Sequence, residues 1–289
     1  MALWQTYHIA SSIEDALVFL EEYQGRSKII AGGTDLLVET QQGQKLPFEA
    51  LIDITKVPEM NLIEVRGNKL FIGAAVTHTN IAISGLVKEN CRALAIASGL
   101  IGGTQVRNIG TIGGNIAHAL PAADGTIALM AMDAKAEIAT LNGKKIIPLQ
   151  ELFVGPGKSS LDPDHEILIG LYIDLSQPNQ SSTFKRIMRP QGVAIAILNL
   201  ALWVEVSGKI IEDIRIAVGP SGPVPQREFL AEDYLRGLVL TAENIKAAHQ
   251  AILDESTFRT SKYRSTKEYR EKMVGVLLED ALIECLNLV

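Results

Sequence analysis

The first third of the chain alternates helical and strand-like apolar patterns. After Ser12, apolar residues recur at helical spacing, which predicts a helix capped by Ser12 and ended by Gly25. Its apolar positions are Ile13, Ala16, Leu17, Leu20 and Tyr23. Apolar runs at 29–31 and 50–54 predict buried strands on either side of a polar segment. These patterns indicate a small α/β unit with a boundary close to Pro58.

Alternating apolar and polar positions predict three hairpins in the rest of the chain. The first joins 62–65 to 69–72 through Gly67-Asn68, and the second turns at Asn142-Gly143. The third joins 200–206 to 210–218 through Ser207-Gly208. A helix-like segment at 93–97 lies between the first two hairpins.

Helical periodicity returns near the end of the chain. We expect one helix from Thr241 to Leu253 and another from Lys267 to Leu286. The apolar face of the last helix consists of Val274, Leu277, Leu278, Ala281 and Cys285. A polar stretch at 176–182 is interpreted as a linker into this final unit. A length of 289 residues allows two or three domains.

The segment 28–37, KIIAGGTDLL, carries adjacent glycines directly after an apolar run. Glycine lets consecutive N–H groups converge on an anion, and phosphate loops are often found at the end of a strand. The segment lacks the third glycine of a Rossmann motif and does not match a Walker loop. Taken alone, it is better explained by an ordinary turn.

A second segment, 101–115, carries the highest glycine density in the sequence. Its glycines are Gly102, Gly103, Gly110, Gly113 and Gly114. This density disfavours a helix or a plain strand, so we expect a loop that wraps a polar ligand. The hydrogen-bonding side chains between the glycines are Thr104, Gln105, Arg107, Asn108, Thr111 and Asn115.

Together these motifs resemble those of a known family. AGGTD at 31–35, TIGGN at 111–115 and PAAD at 121–124 resemble the FAD-binding subunit of the xanthine dehydrogenase and carbon monoxide dehydrogenase family of molybdenum hydroxylases. The resemblance covers nearly the whole chain, because segments 215–227 and 263–286 are similar to the family's C-terminal domain.

The resemblance implies an α+β protein with the FAD-binding fold of the p-cresol methylhydroxylase and vanillyl-alcohol oxidase type. Two α/β subdomains, at 1–57 and 58–175, would precede a C-terminal domain of antiparallel sheet and helices at 176–289. FAD would lie between the first two units, with its pyrophosphate held by main-chain amides of 32–35 and 111–115. Gly113 is expected where the phosphate approaches.

The resemblance also assigns a set of residues to the cofactor. They are Ala31, Gly32, Gly33, Thr34, Asp35, Leu36, Thr104, Arg107, Asn108, Gly110, Thr111, Ile112, Gly113, Gly114, Asn115, Ala117, Asp124, Leu168 and Lys185.

Four members of this set have individual interpretations. Asp35 is expected to cap its loop or the following helix, with ribose contact as the alternative, because its carboxylate would repel phosphate. Asp124 matches a family carboxylate that helps hold the cofactor, and a cap for a helix at 125–132 is the alternative. Leu168 matches an apolar flavin contact, and Lys185 matches a lysine near the flavin ring. The family's arginine pair and acidic residue after that lysine are replaced by RPQG at 189–192, so the roles of those residues stay open.

Composition narrows the remaining chemistry. The two cysteines, Cys91 and Cys285, are too few for a four-thiolate iron-sulfur cluster, and we expect both to be inert, reduced thiols in a cytoplasmic protein. A net charge of -6 disfavours a generic nucleic-acid binder. The sequence contains no apolar run long enough to span a membrane, and residues 1–20 lack the pattern of a signal peptide. We expect no metal site.

Several other residues could suggest catalysis, but we expect no catalytic residue in this chain. His78 is interpreted as a surface or hydrogen-bonded histidine, and His118 as a candidate for lining the cofactor pocket. The pairs Tyr263-Arg264 and Tyr269-Arg270 are interpreted as packing or interface residues.

The hypothesis is therefore an oxidoreductase subunit that carries FAD. It would pass electrons from a [2Fe-2S] partner subunit to an external acceptor, while a molybdopterin-containing large subunit oxidises the substrate, in a dimer of heterotrimers. One alternative is a self-contained FAD oxidoreductase of the same fold that acts directly on a small molecule. Another is a non-catalytic nucleotide-binding assembly subunit. The sequence leaves the substrate and the acceptor open.

Overall fold

The computed structural model describes residues 4–43, 48–189 and 195–289. The segment 190–192, where the sequence departs from the family pattern, lies outside these residues. The strands are β1 Thr6–Ile9, β2 Ser27–Ile30, β3 Ala50–Asp53, β4 Ile63–Arg66, β5 Lys69–Gly73, β6 Lys135–Thr140, β7 Gly143–Pro148, β8 Phe153–Gly155, β9 Lys158–Ser159, β10 Ile167–Asp174, β11 Gln180–Ile187, β12 Leu198–Ser207, β13 Ile210–Gly219 and β14 Gln226–Arg227. The helices are α1 Ile13–Glu22, α2 Leu36–Gln41, α3 His78–Ile83, α4 Gly85–Asn90, α5 Arg92–Leu100, α6 Thr104–Ile109, α7 Ile112–Ala117, α8 Asp124–Ala131, α9 Phe229–Leu235, α10 Ala242–Glu255 and α11 Lys267–Leu286, with short 3-10 helices at Glu59–Asn61 and Leu149–Leu152.

The first unit is a three-stranded parallel sheet in the order β1-β3-β2. Helix α1 connects β1 to β2, and the Ser12 hydroxyl caps it by accepting the Asp15 N–H at 3.0 Å. The predicted helix and both predicted strands are confirmed. Helix α2 then follows β2 directly, so the first glycine stretch lies at the end of a strand, as predicted.

The second unit is an antiparallel sheet in the order β4-β5-β10-β6-β7. The hairpins β4-β5 and β6-β7 confirm the two predicted turns, although the second turn comes one residue earlier because Thr140 pairs with Gly143. Helices α3 to α8 lie between β5 and β6, so the second glycine stretch belongs to a helical insertion within this sheet.

The third unit contains the sheet β11-β12-β13-β14, which includes the third predicted hairpin. Strand β11 begins at Gln180, so the predicted linker is wrong in its second half. The physical reason is that the Ser182 hydroxyl accepts the Ala93 N–H at 3.1 Å, which places this polar residue against α5 instead of in solvent. Helices α10 and α11 confirm the predicted C-terminal helices, and all five residues of the predicted α11 face are buried.

The third sheet is buried on both faces. Its side chains alternate in direction, so successive residues of each strand enter two different cores. On one face, Phe184, Ala201 and Trp203 join the main core with the α5 and α8 helices. On the other face, residues such as Leu200 and Leu202 join a second core with α9, α10 and α11. This arrangement confirms the predicted α+β class and joins the C-terminal helices to the glycine-rich region through one sheet.

The second glycine stretch is largely helical, so the expectation of a loop is wrong. Residues 104–109 form α6 and residues 112–117 form α7, separated by Gly110. Glycine is a poor helix former because of its backbone freedom. Here two contacts offset that cost: the Thr111 hydroxyl caps α7 by accepting the Gly114 N–H at 3.1 Å, and Gly113 fits directly against Ala74.

Candidate cofactor-binding site

The two glycine stretches meet at Gly32. A Cβ at this position would lie 2.0 Å from the Ile109 carbonyl oxygen and 2.8 Å from the Gly110 Cα, so only glycine allows the approach. The second stretch is in turn fixed to the start of α3, because the His78 N–H donates to the Gly110 carbonyl at 3.0 Å. The fold thus brings together the two segments that the sequence singled out.

The first stretch presents free main-chain donors. The N–H groups of five consecutive residues, 32–36, have no acceptor among the described residues. Gly33 adopts a φ of +67°, the left-handed region that glycine accepts readily. Gly32, Gly33 and Thr34 are half-buried and Asp35 is exposed, so these donors lie on an accessible backbone segment. Such a segment can bind an anion.

The amides of the second stretch are already used within the protein. Ile112 N–H donates to the Val76 carbonyl at 3.1 Å, and Gly113 N–H donates to the Ala74 carbonyl at 2.9 Å. Gly114 and Asn115 N–H groups donate to the Thr111 hydroxyl and carbonyl oxygens at 3.1 and 3.0 Å. Of the amides of 111–115 that were expected to hold a phosphate, those of 112–115 already have acceptors within the protein, and the Thr111 N–H has no acceptor among the described residues.

Gly113 faces the protein core and not the ligand side. A Cβ there would lie 2.6 Å from both the Cβ and the carbonyl oxygen of Ala74. The expectation that Gly113 lies where the phosphate approaches is therefore wrong, and its glycine is required for packing. Gly114 and Ala117, by contrast, are exposed on the opposite side of α7.

Arg107 stabilises the connection between α5 and α6. Its guanidinium donates to the carbonyls of Ile101 and Gly102 at 3.1 and 2.8 Å. The neighbouring Asn108 accepts a hydrogen bond from the Thr79 hydroxyl at 2.7 Å, and Thr104 is exposed. These bonds give Arg107 and Asn108 structural roles, while their contact with a cofactor, like that of Thr104, stays a prediction.

Asp124 joins the second unit to the C-terminal sheet. Its carboxylate accepts from the Arg186 guanidinium at 2.5 Å and from the Asn199 amide at 2.6 Å, and Asp124 and Arg186 are both buried. Burial raises the pKa of Asp124, while Arg186 and Asn199 oppose that shift. Its side chain makes no capping bond to α8, so the helix-cap alternative is wrong. Helix α8 also packs on the second stretch, because the Thr126 N–H donates to the Asn115 side chain at 3.2 Å.

Lys185 and Arg186 point to opposite sides of β11, as neighbours in a strand do. Lys185 forms an ion pair with Glu284 of α11, which also binds Arg92 and accepts from the Thr183 hydroxyl at 3.0 Å. Although partial burial opposes ionisation, these hydrogen bonds lower the pKa of Glu284 to about 2. Lys185 therefore has a carboxylate partner inside the chain, and its place near a flavin ring stays a prediction.

Two other predicted positions differ in their exposure. Leu168 lies in β10 opposite Ile138 and is only 6% exposed, so it is a core residue beside a bulge in the sheet. Asp35 occupies the N-cap position of α2, but its side chain makes no capping hydrogen bond. The expectation that the Asp35 side chain caps the start of α2 is therefore wrong, and its alternative, a contact with the ribose, stays a prediction.

Sequence reasoning missed the environment of His78. The side chain is 3% exposed and its Nδ1 has no hydrogen-bond partner within the described chain, so the expectation of a surface or hydrogen-bonded histidine is wrong. Burial, assisted by the nearby Arg107 charge, lowers the pKa of His78 to about 4. His118 is half-buried, with its Nε2 3.6 Å from a Glu39 carboxylate oxygen. The sequence contained one signal for the position of His78. Thr77 is a typical N-cap residue, and it places His78 in the first turn of α3.

Other features of the described residues lie apart from this site. A small cavity lined by Met130 and Arg227, and a groove between α10 and α11, contain no residue of either glycine stretch. Cys91 and Cys285 are buried free thiols whose pKa burial raises to about 12. Over the described ranges we find neither a group of residues placed to hold a metal ion nor a helix long and apolar enough to cross a membrane.

Comparison with known proteins agrees with this geometry. Residues 3–173 match the family described as the FAD binding domain in molybdopterin dehydrogenase, and residues 182–285 match the CO dehydrogenase flavoprotein C-terminal domain. The chain is 34% identical to the nicotine 6-hydroxylase medium subunit of Paenarthrobacter nicotinovorans, covering 96% of each chain. It is 29% identical to a xanthine dehydrogenase FAD-binding subunit of Escherichia coli O157:H7, covering 96% of this chain and 95% of the relative.

A solved structure is similar over nearly the full length. The carbon monoxide dehydrogenase of Hydrogenophaga pseudoflava that lacks the Mo-pyranopterin moiety superimposes with a TM-score of 0.93, at 28% identity and covering 99% of this chain and 98% of the other. The order of the motifs, the fold and the family matches all agree. The chain belongs to the FAD-binding subunit family of the molybdopterin dehydrogenases, which are oxidoreductases.

Proposed function

We propose that this chain is the FAD-carrying subunit of a multi-subunit molybdenum hydroxylase and links a [2Fe-2S] subunit to an external electron acceptor. When bound, FAD supplies the electron-transfer chemistry, while the protein supplies binding, orientation and electrostatics. The observation that carries the proposal is the run of five amide donors at 32–36, held against the second glycine stretch.

The residues present fit the cofactor. Five adjacent N–H groups without acceptors match the several oxygen atoms of a pyrophosphate, and they need no positive side chain to do so. The side chains of Thr34, Thr111 and Asn115 add hydroxyl and amide groups at the same junction. The ring of the buried His78 packs beside Gly110 through its Cδ2, and its Nδ1 has no hydrogen-bond partner among the described residues. These residues would bind the phosphate end and orient the molecule along the junction.

The proposed contact set keeps the residues inferred from the family resemblance. Its members other than the amide donors are assigned by that resemblance alone. They are Ala31, Thr104, Arg107, Asn108, Gly110, Ile112, Gly113, Gly114, Ala117, Asp124, Leu168 and Lys185. In this proposal Asp124 and Arg186 fix the C-terminal sheet beside the site, and Gly113 contributes through its packing.

The cysteines of this chain and the names of its relatives support the proposed partner subunits. Its two cysteines are separately buried within two different helical contexts, so a [2Fe-2S] cluster would belong to another subunit. The relatives include proteins named as medium subunits or chains, such as that of carbon monoxide dehydrogenase from Hydrogenophaga pseudoflava. We propose a molybdopterin-containing large subunit as the third component, in a dimer of heterotrimers. We also propose subdomains at 1–57 and 58–175 and a C-terminal domain at 176–289.

FAD retention by the purified chain tests the cofactor site. Gly32→Ala should lose most of the bound FAD, because the added Cβ would lie 2.0 Å from the Ile109 carbonyl oxygen and force the stretches apart. Gly85→Ala is the matched control, since a Cβ there meets no atom within 4 Å. The measurement is the flavin absorbance per chain after desalting, with circular dichroism to verify folding. Thr34→Glu, which places a carboxylate among the donors, should also lose FAD, and full occupancy in this variant would contradict the site.

Flavin reduction tests the place of the chain in the electron path. The FAD of the assembled complex should bleach when the substrate of the complex is added, whereas the FAD of the isolated chain should not. Substrate reduction of the isolated chain would instead support a self-contained oxidoreductase. No bleaching under either condition, in a complex whose large subunit turns over substrate, would overturn the proposed electron path.

A further inference from the structure

Three arginines lie together at the N-terminal end of α11. Arg259 and Arg264 belong to the segment between α10 and α11, and Arg270 lies in the first turns of α11. Arg270 is only 1% exposed and is the largest of the fully buried side chains. Its Nε and Nη1 atoms are buried and have no hydrogen-bond partner in the described chain. The three side chains are close enough that burial of Arg270, followed by the charges of Arg264 and Arg259, lowers its pKa.

This cluster has no counter-charge of its own. In the described part of the chain, no carboxylate oxygen lies within 4.0 Å of Arg259, Arg264 or Arg270. The nearby carboxylates of α11 are engaged elsewhere. Glu271 pairs with Lys267 at 3.5 Å, and hydrogen bonds from its own N–H and from Thr266 lower the pKa of Glu268. The positive charge of the cluster is therefore uncompensated by any carboxylate of residues 4–43, 48–189 and 195–289.

An uncompensated buried guanidinium is costly, because the ion has lost water without gaining an anion. The same guanidinium groups present several N–H donors in a planar fork, which matches the oxygens of phosphate in a bidentate arrangement. The cluster also lies at the start of a 20-residue helix, whose N-terminal end favours negative charge. The burial of Arg270, the positive charge of the cluster and the direction of α11 thus all favour an anionic ligand.

We propose that Arg259, Arg264 and Arg270 form a binding site for a small oxyanion of the phosphate type. A small ion fits better than a partner's side chain, because Arg270 is almost inaccessible to solvent, whereas Arg264 is half-buried and Arg259 is exposed. The site is separate from the proposed FAD site. Arg270 and Glu284 are 14 residues apart on one helix, which corresponds to about 21 Å along its axis.

Thermal unfolding with inorganic phosphate tests the site. The FAD-loaded chain is titrated with sodium phosphate against sodium chloride at matched ionic strength. Because a ligand that binds only the folded state raises stability, phosphate should raise the Tm of the wild type, with saturation. Arg264→Gln should weaken the apparent phosphate Kd at least tenfold, and Arg259→Gln should weaken it less. The matched control is Arg26→Gln, whose guanidinium already pairs with Glu49 on an exposed surface and should leave the Kd unchanged.

Arg270→Met provides an independent test of the phosphate site if the other variants fold poorly. Removing the uncompensated charge should raise the Tm in chloride and abolish the phosphate-dependent increase. The proposal is overturned if the wild type shows no saturable phosphate effect, or if Arg264→Gln and Arg270→Met retain it in full. If the phosphate-dependent rise in Tm disappears in the assembled complex, the site would be assigned to a carboxylate of a partner subunit, and the proposal would also be overturned. Loss of FAD binding in Thr34→Glu leaves this outcome unaffected, so the two proposals fail separately.

Discussion

The two glycine stretches look alike in sequence, but the fold uses them differently. In the first, glycines at 32 and 33 leave five consecutive amides without acceptors. In the second, the amides of 112–115 donate to Val76, Ala74 and Thr111, and Gly113 fits against the Ala74 backbone. Gly32 and Gly113 are both required for close packing, against Ile109 and Ala74 respectively. The hydrogen-bond partners of the neighbouring amides therefore distinguish the two stretches.

The strongest test removes the connection that fixes the second stretch to the C-terminal sheet. Asp124→Ala leaves the buried Arg186 guanidinium without a counter-charge, which should cost about 3–5 kcal/mol of unfolding free energy. Urea unfolding measures the loss, and Asp124→Ala with Arg186→Met should recover much of it. A loss below 1 kcal/mol, within the range of surface pairs, would show that this ion pair does not anchor the second stretch.

A smaller effect distinguishes packing from ligand approach within the second stretch. Gly113→Ala should lower the unfolding free energy by about 1–3 kcal/mol, because its Cβ would lie 2.6 Å from Ala74. Gly114→Ala is the matched neighbour, since its Cβ would meet only the Thr111 hydroxyl at 3.2 Å, and it should change stability much less. Equal losses in the two variants would mean that Gly113 has no special packing role.

Hydrogen exchange compares the two stretches directly. Without FAD, the amides of 32–36 should exchange rapidly, whereas those of 112–115 should be protected by their internal acceptors. Adding FAD should slow exchange in the first stretch by at least about tenfold, equivalent to about 1.4 kcal/mol, and change the second stretch less. Mass spectrometry of peptides that cover each stretch measures this. FAD-dependent protection confined to 112–115 would reverse the comparison.

The smallest expected effect concerns the half-exposed cluster around Glu284. Its folded pKa of about 2 lies below the ordinary value of 4.5, so its stabilising contribution is present above pH 4.5 and is lost as the pH falls toward 2. Because the surrounding pairs are partly exposed, Glu284→Gln should cost only about 1 kcal/mol at pH 6. The difference in unfolding free energy between the wild type and Glu284→Gln should become smaller below pH 4.5. A gap that is constant from pH 6 to pH 3 would exclude a contribution from ionised Glu284.

Local patterns were sufficient for most of the secondary structure. The Ser12 cap, the Asn142 turn and the apolar face of α11 depend on residues close in sequence, so their physics can be read from the chain. The helices α6 and α7 could not be predicted in this way. The two glycines of α7 oppose helix formation, and the compensating contacts of this helix to Ala74 and Val76 come from residues more than thirty positions earlier.

The candidate cofactor site was likewise predictable from the sequence only in part. The motifs identified which segments belong together, while the environments of His78, Arg186 and Lys185 depended on strands and helices distant in sequence. Lys185 and Arg186 are adjacent in the chain, yet one binds Glu284 and the other binds Asp124, because neighbouring residues of a strand point to opposite faces.

The sequence alone indicated the family through its ordered motifs, the α+β class through the family resemblance, and the two segments that meet at the candidate cofactor site. Only the tertiary structure decided which glycine amides are free to bind an anion, which carboxylate pairs with which base, and that Arg270 is buried without a partner. These properties depend on burial and on hydrogen-bond acceptors supplied by remote residues.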